Sequence, residues 1–131
     1  MILIDTSVWI DHFQDSATNE VIALREFISR DEDLCICGPI LTEVLQGIRH
    51  DIEYLRTRRY FEPLIYLPLE RKAYLKAAEI YRTIRKKGKT VRNTVDCLIA
   101  ACAITHSVTL LHKDADFTTI AEHSVLKLFR G

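Results

Sequence analysis

The chain has 131 residues, 48% of them hydrophobic and 27% charged, with 18 basic and 18 acidic side chains that cancel to a net charge of zero. That balance suits one soluble domain spanning residues 1–131, long enough to bury a core without disulfides or a structural metal. It excludes a protein that gathers nucleic acid by overall charge. The longest wholly apolar run, Cys97 to Ile104, is too short to cross a bilayer.

Taken in chain order, Ile2 to Ile4 reads as a buried strand that meets the polar turn Asp5-Thr6-Ser7. Thr6 or Ser7 is the expected cap of a helix beginning at Val8. With no basic lead before Asp5, the N-terminus does not read as a secretory leader, so a cytoplasmic location is expected. A helix over 18–29 carries Val21, Leu24 and Ile28 on one stripe. Leu34 to Cys37 is the second strand. Gly38-Pro39 opens a helix to about Gly47, proline being tolerated in a first turn. Residues 51–61 read as helical and stop before Pro63, and Leu64 to Leu67 is a third strand.

Glu70 to Lys87 is a long amphipathic helix, with Ala73, Ala77, Ile80, Tyr81 and Ile84 at helical spacing and Gly88 at its end. Thr94 to His106 is apolar nearly all round after Asp96, so it reads as a buried central helix. Val108 to Leu111 is the fourth strand, Ala115 to Glu122 a short helix, and Val125 to Leu128 a final strand. Strands alternating with helices imply a three-layer α/β/α domain around a mostly parallel sheet.

The four cysteines, Cys35, Cys37, Cys97 and Cys102, lack paired C-x-x-C spacing and read as buried thiols. The histidines form no H-E-x-x-H pattern. His12, His50, His106 and His123 read as surface or capping residues. Arg82 to Arg92 holds six basic residues and no acid. That run, and the group Arg56, Arg58 and Arg59, are solvated helix faces unless a nuclease site lies beside them.

The acids carry the functional signal. Ligands of open α/β sheets bind beyond the carboxyl ends of the strands. Asp5 follows the first strand and Asp114 the fourth. Glu43 lies one turn into the helix after strand two, and Asp96 lies in the first turn of the buried helix. Each has an ordinary role when taken singly: a turn residue, an N-cap, an exposed helix position. Together they fall at one edge of the inferred sheet. Like charges ~4 Å apart repel by about 4 kcal/mol at an effective dielectric of ~20, so protonation or a cation must relieve them. Hard oxygen donors without cysteine or imidazole suit magnesium or manganese.

Met1-Ile2-Leu3-Ile4-Asp5-Thr6-Ser7-Val8, Leu41-Thr42-Glu43-Val44 with Gly47, Asp96-Cys97-Leu98-Ile99-Ala100-Ala101-Cys102-Ala103 and Asp114-Ala115-Asp116-Phe117 together resemble the PIN domain. More narrowly, they resemble the VapC-type toxins of toxin–antitoxin pairs. The resemblance spans essentially the whole chain, with the motifs in family order. It implies a five-stranded sheet of order 3-2-1-4-5 and Mg2+- or Mn2+-dependent endoribonuclease activity. It also implies a homodimer inhibited by a cognate VapB-type antitoxin. Asp5, Glu43, Asp96 and Asp114 match the acidic metal-site positions, and Asp116 matches the auxiliary acid of the D-x-D-F ending. Thr6 and Ser7 match polar residues that hydrogen-bond the site. His112 departs from the Thr or Ser that relatives often carry there.

The expected chemistry is hydrolysis by a metal-activated water, with Asp5 and Asp96 as direct ligands. RNA phosphates would then meet Lys86, Lys87, Lys89 and Arg92. Two other functions place aspartates at strand ends. One is a phosphoacceptor or phosphotransferase domain, in which Glu43 and Asp96 have no clear part. The other is a non-catalytic partner-binding domain.

Overall fold

The computed structural model describes all 131 residues. Four strands and seven helices alternate: β1 (Ile2–Ile4), α1 (Thr6–Phe13), α2 (Asn19–Ser29), β2 (Leu34–Cys37), α3 (Gly38–Gln46), α4 (Asp51–Phe61), β3 (Ile65–Leu67), α5 (Arg71–Lys86), α6 (Thr94–Thr105), β4 (Thr109–Leu111) and α7 (Ala115–Glu122). Every strand pairing is parallel, in the order β3-β2-β1-β4. Parallel pairing puts the carboxyl ends of all four strands at one edge, where Asp5 leaves β1 and the 112–114 turn leaves β4. The register Ile4 to Leu111 continues one step further through the Asp5 amide, which donates to the Leu111 carbonyl at 2.9 Å.

The sheet differs from expectation in one respect. No fifth strand forms; Leu128 makes a single parallel bridge beside Leu110, and residues 125–127 stay irregular. Val125 is largely exposed, Leu126 is buried and Leu128 packs partly against the core, so the segment follows the sheet edge but pairs with it only at Leu128. The order 3-2-1-4 is as expected, with the bridge at Leu128 marking the fifth place.

All four residues of β2 are buried, as a strand covered on both faces requires. Helix α6 is the central helix expected from its composition: Cys97, Ile99, Ala100, Ala101, Cys102 and Ala103 are all buried. Helix α5 lies along it, burying Ala73, Ala77, Ile80 and Ile84 at helical spacing and exposing its basic face. Its last turn passes to Gly88 at φ +77°, the left-handed turn that a glycine closes at least cost. The cysteines are all buried free thiols. Burial of Leu3, Ile4, Leu110 and Leu111 fixes the ends of β1 and β4. At about 1.5–3 kcal/mol each, these side chains outweigh the cost of holding an acid beside them.

Candidate active site

Helix starts bring most of the acids to the edge. Asp5, in extended conformation, is the N-cap of α1; this corrects the expectation that Thr6 or Ser7 caps it. Asp5 Oδ2 accepts from the Ser7 amide at 3.2 Å and the Ser7 hydroxyl at 2.6 Å. The two residues expected to cap have other tasks: Ser7 holds Asp5, and Thr6 Oγ1 donates to Glu43 Oε1 at 2.7 Å. That second bond ties the first turn of α1 to α3, two elements 37 residues apart in sequence. Asn93 caps α6 through Val95, placing Asp96 in its first turn. Asp114 caps α7 and accepts from the Asp116 amide at 2.9 Å. The ordinary capping roles of Asp5 and Asp114 are thus real, and they are what aims these carboxylates.

The tightest grouping is Asp96, Asp114 and Asp116, each of which offers one carboxylate oxygen within 4.8 Å of the other two. Asp116, expected only as an auxiliary, belongs to this triple; Asp5 and Glu43 do not join it at that distance. They remain within electrostatic reach. Burial first, and then the negative charges of Asp114, Asp5, Asp116 and Glu43, push the Asp96 carboxyl up from 3.8 to about 7. One carboxyl therefore senses all four of the others. No hydrogen bond offsets that rise, whereas Asp5, Glu43, Asp114 and Asp116 each accept at least one. Burial also raises Asp5, partly countered by the donors at Ser7 and Thr6, with Asp114 adding repulsion.

This donor set fits a hard divalent cation. It consists of carboxylate oxygens alone, three of them close-set. Asp96 is buried, lacks a donor, and lies among four like charges. Cys97 lies beside Asp96, but burial and the charges of Asp96 and Asp116 hold its thiol protonated, at about 11. His112 is half-buried, its ring set edge-on to Phe117 at 5.5 Å, and it makes no hydrogen bond to any of the acids.

The basic residues divide. Lys86, Lys87 and Lys89 are exposed, and Lys89 pairs with Glu122 at 3.4 Å. Arg92 reaches the acids themselves, 3.6 Å from Asp116 and 3.9 Å from Asp114, and its amide donates to Asp116 Oδ2 at 3.3 Å. Sequence reasoning placed Arg92 near substrate but not on these carboxylates. His12 is half-exposed in the last turn of α1. It lies among Trp9, Phe13 and Tyr60, within 3.3 Å of the Tyr60 hydroxyl and 3.4 Å of Arg25 Nε.

Residues 2–123 match the family model described as PIN domain. Among curated relatives, the chain is 38% identical over 123 residues to ribonuclease VapC11 of Mycobacterium tuberculosis, an alignment covering 92% of each protein. Among solved structures, VapBC2 from Rickettsia felis, bound to a promoter DNA fragment, superposes with a TM-score of 0.78 at 18% identity, covering 98% of both chains. VapBC-5 of Mycobacterium tuberculosis, described as a member of the VapBC family of toxin-antitoxin systems, superposes at 0.72 with 20% identity, covering 98% of this chain and 97% of the other. The two structural likenesses show the fold.

Proposed function

The chain belongs to the PIN-domain family, and on that premise we propose that it is a Mg2+- or Mn2+-dependent endoribonuclease, the toxin of a type II toxin–antitoxin pair. The observation that carries this reading is the uncompensated Asp96 among Asp5, Glu43, Asp114 and Asp116. The curated relative named a ribonuclease supports it, at 38% identity over 92% of the chain. A phosphoacceptor function leaves Glu43 and Asp96 without a task.

In this reading Asp96, Asp114, Asp5 and Glu43 hold the ion, with Asp116 as auxiliary. Such an ion, when bound, neutralises phosphate charge and makes water deprotonation accessible at neutral pH. The chain's own residues do the rest. Thr6 fixes Glu43 and Ser7 fixes Asp5, so neither carboxylate has to be ordered during the reaction. Asp96, pushed up to about 7, is the carboxyl that would have to lose a proton to hold a cation. The exposed Lys86, Lys87 and Lys89 contribute sequence-independent phosphate contact. Hydrolysis leaves a 5′-phosphate and a 3′-hydroxyl.

A homodimer and a VapB-type antitoxin belong to the same proposal. A groove of about 780 Å³ between α1, the end of α3 and α4, in which Ile10, Phe13 and Ile52 lie beside Arg49, Glu53 and Arg56, supports a protein partner. Ile10, Phe13, Ile52 and Tyr60 in it are all exposed apolar or aromatic side chains grouped in one groove. No helix is long and apolar enough to cross a membrane.

The test is cleavage of total RNA by purified protein with Mn2+ or Mg2+, with Asp5→Asn and Asp96→Asn as controls. Ion-dependent cleavage with 5′-phosphate ends, lost in both variants, is expected. Undiminished cleavage in chelator, or 2′,3′-cyclic phosphate ends, would overturn it.

A further inference from the structure

Five carboxylates meet at the strand edge, and the only ion pairs any of them makes are those from Asp114 and Asp116 to Arg92. Lys113, next to Asp114 in sequence, pairs with Asp11 instead. Arg92 also has an unusual division between its backbone and its side chain. The backbone is anchored, its amide donating to Asp116 and its neighbour Val91 buried. The side chain is 78% exposed and held at 3.6 and 3.9 Å, longer than a close guanidinium–carboxylate pair. The guanidinium can therefore leave the acids without the loop moving.

We propose that Arg92 is a displaceable counter-cation, which neutralises Asp114 and Asp116 while no divalent ion is present and transfers to a phosphate of the RNA strand once ion and substrate enter. The inference rests on the nuclease reading and assigns one residue a double role within it. Its logic is competition for the same oxygens. A divalent ion on Asp114 or Asp116 repels a guanidinium bound to those carboxylates. The substrate phosphate brought by the ion presents the oxygen pair that a planar guanidinium fork matches. Arg92 thereby lowers affinity for the free ion and favours the ion that arrives together with a phosphodiester, so the loaded state is selected by substrate. Lysine at this position keeps the charge and loses the fork.

Three proteins, wild type, Arg92→Gln and Arg92→Lys, separate the two roles. Mn2+ binding is measured by calorimetry and by the metal-dependent rise in melting temperature, both without RNA. Arg92→Gln is expected to bind Mn2+ about 5–20-fold more tightly, because one unit of repulsion is removed within a Debye length. Its metal-free melting temperature falls, since Asp114 and Asp116 lose their partner, and its gain on adding Mn2+ grows. Its kcat/KM for a fluorescent RNA falls about 10–100-fold despite the tighter metal. Arg92→Lys keeps wild-type Mn2+ affinity and loses part of the cleavage. Unchanged or weaker Mn2+ binding by Arg92→Gln, or cleavage equal to wild type at saturating Mn2+, overturns the proposal while leaving the nuclease reading intact. A wild-type protein that neither binds Mn2+ nor cleaves RNA refutes both.

Discussion

Replacing Asp96 by Asn should stabilise the metal-free protein at neutral and alkaline pH, and the size of the gain follows from the site. The folded carboxyl is raised to about 7 from 3.8. At about 1.4 kcal/mol per pH unit, that gap bounds the cost of ionising Asp96 at roughly 4 kcal/mol. Solvent at the mouth of the site screens part of the repulsion and brings the figure toward about 2 kcal/mol. The sign is that of a raised acid. The folded state holds the proton more tightly than the unfolded chain, so this contribution to stability is complete below pH 4. It declines as pH rises toward 7 and is gone above. Asn never ionises, so the variant escapes the decline. In chelator at pH 8, Asp96→Asn should melt about 4–10 °C higher than wild type, and the two should converge near pH 4. Adding Mg2+ or Mn2+ should reverse the order, because only wild type gains the bound ion. The assay is a set of melts from pH 4 to 8 with chelator and with metal. A variant that melts well below wild type in chelator at pH 8 would show that Asp96 holds structure, refuting the electrostatic reasoning.

Ser7→Ala removes both a donor to Asp5 and the order it imposes; it should cost about 1 kcal/mol in a denaturant titration and lower kcat more than it raises KM. Thr6→Val should act likewise on Glu43, with loss of cleavage and a stability change of about 1 kcal/mol, whereas Thr6→Ser restores both. Asn93→Ala deletes the α6 cap and should cost about 1 kcal/mol, with Mn2+ affinity reduced because the turn carrying Asp96 frays. Ile52→Glu in the groove should leave RNA cleavage unchanged and weaken capture by a VapB-type antitoxin at least tenfold in a binding titration; equal capture would place the partner elsewhere.

The fold was legible where burial and periodicity agree. The all-round apolar run after Asp96 could only be a central helix, and the short apolar strands between amphipathic helices implied parallel pairing. The fifth strand misled because Val125 to Leu128 alternates in a strand-like way, with Leu126 and Leu128 turned to the core, while only Leu128 pairs with β4. The cap of α1 misled for a related reason. Asp, Thr and Ser in succession are all good caps, and only the backbone decides which of them turns. The acids were visible as a set because topology sends strand ends to one edge. Their grouping was not. That Asp116 joins Asp96 and Asp114 depends on the turn of α7, and that Arg92 lies on two of them depends on a loop whose course no periodicity encodes.

The most direct test is anomalous scattering from crystals grown with Mn2+. A peak among Asp5, Glu43, Asp96 and Asp114, with Asp116 beside it and carboxylate oxygens at coordination distance, is the predicted result. Saturating Mn2+ with no density among these side chains, or an ion bound only elsewhere on the surface, would contradict the view that this acidic edge exists to hold a divalent cation.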